Sequence, residues 1–156
     1  MFAVGNKLVT VLLACFVFSG VALAAGDDVS TRTTEDQSFE EAAQSVRDAI
    51  INRGFKIDYN GHIGEMLDRT AEDVGATKRI FNGAEIFTFC SAVVSRSVME
   101  HDAADIAYCP YVVFVYEKYN ADEPVTIGFR QLPEGGARDQ VNELLTEIIE
   151  AAADGF

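Results

Sequence analysis

The sequence predicts an α+β domain, and three observations carry that prediction. Short segments with strict two-residue alternation are interleaved with segments that repeat an apolar face at helical spacing. The two most apolar extended segments, Tyr111 to Tyr116 and Val125 to Phe129, are separated by a turn over Asn120 to Pro124, the pattern of a hairpin. A long amphipathic helix, with Val141, Leu144, Leu145, Ile148, Ile149 and Ala152 on one stripe, follows the break at Pro133-Glu134-Gly135-Gly136.

Residues 1–24 read as a secretory signal. Lys7 supplies the positive start, Leu8 to Val21 the apolar run, and Ala22-Leu23-Ala24 the small-residue cleavage site. The apolar run is shorter than the roughly 20 residues that span a bilayer, so cleavage is expected and no stable membrane span remains afterwards. An alternative is lipoprotein processing at Leu12-Leu13-Ala14-Cys15, ranked lower because the apolar stretch continues past Cys15. The expected location is therefore periplasmic or secreted.

Residues 25–37 form a polar, threonine-rich segment in which Val29 to Thr34 is extended enough for an edge strand. One α+β domain is expected over 38–156. Ser38-Phe39-Glu40-Glu41 is a capping box, and Phe39, Ala42, Val46, Ala49 and Ile50 continue one face of a helix over about 38–53. Gly54 ends it. Phe55, Ile57 and Tyr59 then alternate with Lys56 and Asp58 in a strand with one buried face. Ile63, Met66, Leu67 and Ala71 place a short helix within 62–74. Asn82-Gly83 signals a turn before an extended segment from Ile86 to Cys90. Ser91 caps a helix running to about His101, with Ala92, Val93 and Val98 as candidate contacts.

Charge limits the partners. The 156 residues hold 12 Lys and Arg against 25 Asp and Glu, a net charge of -13, and cleavage at the signal removes Lys7 to leave an even more acidic chain. Such a balance opposes a nucleic-acid backbone or an anionic membrane surface. Neither a phosphate-binding glycine loop nor a zinc pattern is present, and no cofactor is expected.

The candidate chemistry is sparse. Cys90 lies where a strand gives way to a helix, a position that lowers a reduced thiol's pKa. Against that reactive reading stands a structural disulfide with Cys109, which the exported compartment favours. The sequence has no Cys-x-x-Cys arrangement. A Cys90–His101 dyad fails because a helix of that length separates the pair by about 16 Å. His62 and Met66, at i and i+4, are weak metal candidates, since a methionine at that spacing more often belongs to a core. His101 lies among Glu100, Asp102 and Asp105 in what reads as a solvated charge cluster. The strand Tyr111 to Tyr116 is apolar at every position and therefore needs cover on both faces. One set, either Tyr111, Val113 and Val115 or Val112, Phe114 and Tyr116, meets the helices. The other is expected to face a small apolar ligand, an inserted helix or a second copy of the chain.

Phe89-Cys90-Ser91-Ala92, then Ser95-Arg96, Asp105-Ile106 and Tyr108-Cys109-Pro110-Tyr111 leading into Val113 to Glu117, resemble the domain-of-unknown-function family 302 over about residues 38–131. Many cytoplasmic members follow the first cysteine with asparagine and proline. Ser91-Ala92 stands there instead, and Cys109 precedes Pro110, so the chain looks like an exported branch. The resemblance implies a TATA-binding-protein-like fold: strand, helix, four antiparallel strands and a C-terminal helix, with extra helices between strands. In that antiparallel order Cys90 and Cys109 face each other. The family carries no established reaction, so no catalytic residue follows from it. The function expected is a noncatalytic ligand-binding or interaction module; the alternative is a thiol redox protein using Cys90 and Cys109.

Overall fold

Residues 28–155 are described by the computed structural model; the expected signal, with Cys15, lies outside the described residues. The strands are β1 (Val29–Thr34), β2 (Ile57–His62), β3 (Phe81–Phe89), β4 (Tyr111–Lys118) and β5 (Val125–Arg130). The helices are α1 (Phe39–Asn52), α2 (Ile63–Thr70), α3 (Ala92–His101) and α4 (Arg138–Asp154), with a short 3₁₀ helix over Ala103–Tyr108. One sheet results, in the order β1-β5-β4-β3-β2, with every neighbouring pair antiparallel. This is the α+β arrangement expected. β1 occupies the edge, beside β5.

The helices start where local chemistry tells them to. Ser38 accepts from the Glu41 amide while the Glu41 carboxylate accepts from the Ser38 amide and hydroxyl, and those two bonds to the carboxylate lower its pKa from the ordinary value. Ala42, Val46, Ala49 and Ile50 then point at the sheet and are fully buried. α4 buries Val141, Leu145, Ile148, Ile149 and Ala152 against the same face, each large aliphatic side chain contributing about 2 kcal/mol. Asn142 fixes its entry by donating to the Leu132 carbonyl and accepting from the Leu132 amide, both at 2.9 Å.

Residues directly opposite across an antiparallel ladder share a face. Phe87, Val113 and Phe129 stand in one such row, and Val115 and Ile127 in the next, under α1 and α4. The alternation expected for Val125, Ile127 and Phe129 is present, and all three are buried.

The structure differs from the sequence reading at three places. Tyr59 does not share the buried face of Phe55 and Ile57: β2 bulges between Ile57 and Tyr59, which turns Tyr59 to the other side, 58% exposed. Asn82-Gly83 is not a turn but lies inside β3, where the register shifts. A Cβ at Gly83 would sit 2.4 Å from the Phe39 ring, so this glycine admits a side chain of α1 rather than reversing the chain. In α3, Ser91 caps as expected, accepting from the Val94 amide, and Val98 is buried in the core as expected, but its neighbours there are Val94 and Ser95. Ala92 is exposed and Val93 is 80% exposed. The short helix expected within 62–74 is α2, which stops at Thr70, where the Thr70 hydroxyl bonds back to the Met66 carbonyl.

Candidate functional site

Tyr111, Val113 and Val115 meet the helices and are buried. Val112, Phe114 and Tyr116 therefore occupy the outer face, where they are half-buried. Cross-strand pairing adds Thr88, Ile86 and Ala84 from β3, Gly128 and Thr126 from β5, and Tyr59 and Gly61 from β2. Gly128 leaves room for the Phe114 ring, whose Cζ lies 2.5 Å from where a Cβ would stand. Phe114 stacks on Tyr116 with centroids 6.0 Å apart, and Tyr116 meets Phe81 at 5.6 Å. Among the described residues, no ladder position on this face is Asp or Glu.

The aromatic row ends in a groove of about 510 Å³ lined by Lys78, Arg79, Ile80, Phe81, Tyr116, Lys118, Tyr119 and Ala121. The antiparallel pairing of Phe81 with Lys118 brings these two chain segments together, and the Tyr119 amide donates to the Ile80 carbonyl at 2.9 Å. Arg79 lies over the Tyr119 ring, 5.0 Å from its centroid, and pairs with Asp68 at 3.0 Å. Tyr116 was already a candidate; the other lining residues were not. Their one local signal is Lys78-Arg79 followed by Ile80-Phe81, a basic pair leading into apolar residues in an acidic chain.

At the other end of β3 and β4, Phe89 pairs with Tyr111, which sets Cys90 beside Cys109. Both are free thiols here, each half-buried. Burial, then the neighbouring Cys109 thiol and the Asp58 carboxylate, push the Cys90 thiol up to about 12. The lowered pKa expected of a helix N-terminus is thus reversed. Cys90 precedes the capping Ser91, and Ser91 itself takes the helix amide. Ser95 donates to the Tyr111 hydroxyl at 3.0 Å and lies 3.9 Å from the Cys109 sulfur. Burial also raises the Tyr111 phenol.

His62 ends β2 with its Nδ1 3.0 Å from Glu85, while Met66 lies on α2, partly exposed. Among the described residues, no group of three or more His, Cys, Asp or Glu side chains is placed to hold a metal ion. Asp105 is not part of a solvated cluster around His101. It is 3% exposed and accepts from Arg138 through Nε and Nη2, at 2.7 to 3.1 Å, tying the 3₁₀ helix to the start of α4. Asp102 stands 3.5 Å from the same guanidinium. Nothing in the sequence announces this pair, whose partners are 33 residues apart.

No helix among the described residues is long and apolar enough to cross a membrane. Among solved structures, the chain is similar to an uncharacterized conserved protein DUF302 from Bacillus stearothermophilus, with a TM-score of 0.62 and 12% identity. The likeness covers 83% of this chain and 98% of that one. At such identity it shows the fold alone. No curated protein matches the chain. A family model described as domain of unknown function DUF302 matches residues 30–152, extending past the 38–131 stretch to take in most of β1 and α4. The chain, matched from its first strand into its last helix, belongs to the DUF302 family.

Proposed function

We propose that this protein is an exported, noncatalytic binding module that holds a small, largely apolar ligand on the outer face of its sheet. The observation that carries the reading is the row Phe114, Tyr116 and Phe81, half-buried on the face opposite α1 and α4 and opening into the groove of about 510 Å³. Volumes of this order suit a small molecule, and apolar walls with a few polar groups are what such sites use. Export rests on Lys7, the apolar run and Ala22-Leu23-Ala24. Cys90 and Cys109 serve in this reading as a structural staple, because a thiol raised to about 12 is a poor nucleophile at neutral pH.

A neutral fluorescent probe, N-phenyl-1-naphthylamine, tests the face. Saturable enhancement at one site per chain is expected, and Tyr116→Lys should weaken it about tenfold or more by placing a charge in the apolar row. Circular dichroism verifies that the variant is folded, and Tyr116→Phe should retain binding. No saturable signal on the folded protein would overturn the reading. Light scattering that finds the face sealed in a dimer would reassign it to self-association.

A further inference from the structure

Resting on that reading, we propose that the ligand is a monoanion with a planar aromatic body. Its ring would lie on Phe81, Tyr116 and Tyr119 and its charge beside Lys78. The protein as a whole repels anions, with a net charge of -13. Yet the groove's lining includes Lys78, Arg79 and Lys118 and no carboxylate. A local reversal of sign inside an apolar concavity selects a ligand more strongly than scattered surface lysines do, because low-dielectric walls focus the field.

The three cations are not equivalent. Lys118 pairs with Glu123 at 2.6 Å and Arg79 with Asp68 at 3.0 Å, so both charges are largely answered within the chain. Lys78 has no carboxylate within 4.0 Å among the described residues. One unanswered cation matches one negative charge, whereas a dianion would also face Glu123, Asp68 and the acidic remainder of the molecule. Arg79 acts as a wall: held by Asp68 and spread over Tyr119, its guanidinium extends the aromatic surface. Phe81 and Tyr116 meet at 56°, so with Tyr119 and the Arg79 guanidinium the groove offers both ring faces and ring edges, which suits a flat aromatic ligand that stacks on one ring and meets another edge-on.

The experiment compares two probes that share one skeleton and differ by a sulfonate. These are 1-anilinonaphthalene-8-sulfonate and the neutral N-phenyl-1-naphthylamine, titrated into the full mature chain. At low salt the anionic probe should bind about fivefold more tightly, and the advantage should shrink as salt screens the pair. Lys78→Gln should remove about that factor from the anionic probe, Lys78→Arg should keep it, and Lys56→Gln, outside the groove, should change nothing. Equal affinity of the two probes, or an anionic advantage indifferent to Lys78→Gln, would overturn the charge assignment while leaving the binding face standing. If neither probe binds, the proposed function fails with it.

Discussion

Gly128→Ala is expected to destabilise the domain by about 3 kcal/mol, the upper range for forcing a methyl into packed surroundings. The added Cβ would stand 2.6 Å from the Ser30 carbonyl oxygen and 2.5 Å from the Phe114 ring. The ring can turn, but the carbonyl belongs to β1, whose pairing with β5 fixes it. Relief therefore requires either parting the β1–β5 ladder or lifting Phe114 from the outer face. Gly83→Ala supplies the contrast, since the three atoms nearest its Cβ all belong to the Phe39 ring, a side chain at the start of α1 that can swing away. It should cost clearly less, about 1 kcal/mol. Urea titrations check both, the expected sign being a lower midpoint at unchanged slope for Gly128→Ala. A loss below that of Gly83→Ala would show that β1 yields easily and that Phe114 does not depend on the glycine beneath it.

Gly128 also shows what sequence does and does not carry. Its place in an alternating strand was legible, because Val125, Ile127 and Phe129 face the helices and period two leaves no other arrangement. The same logic separated Tyr111, Val113 and Val115 from Val112, Phe114 and Tyr116. α1 and α4 were legible from capping and apolar spacing, both local signals. Reading failed where a tertiary contact overrode a local preference. Asn82-Gly83 has turn chemistry, yet Phe39 uses the missing side chain and the strand continues. The bulge before Tyr59 shifts the face of everything after it, and alternation cannot reveal one inserted residue. The groove was beyond reach for a different reason: its walls are joined only when β3 pairs with β4, and neither wall alone is concave.

Protein matured in an oxidising compartment is expected to carry a Cys90–Cys109 disulfide, and losing it should cost about 3 kcal/mol. The antiparallel pairing of Phe89 with Tyr111 starts the 91–108 excursion and ends it at one end of the sheet. Cys90 directly follows Phe89, and Cys109 lies two residues before Tyr111, so the two thiols stand at the same end of one ladder. Bridging them closes a loop of about 20 residues, which in the chain-entropy model gives that magnitude, less any strain. Chemically, a small disulfide such as oxidised glutathione accepts two electrons and leaves as two thiols, while Cys90 and Cys109 give up their protons and form one sulfur–sulfur bond. Cys90→Ser and Cys109→Ser should lower the Tm alike, with the double variant no worse than either, because all three abolish one bond. In the reduced native protein, burial and the neighbouring Cys109 thiol keep Cys90 protonated at pH 8, so it should alkylate slowly. Denaturation without reductant should then expose no thiol in the oxidised form. Two labelled cysteines under those conditions would remove the staple. Rapid alkylation of Cys90 in the native reduced protein would instead favour the thiol redox reading.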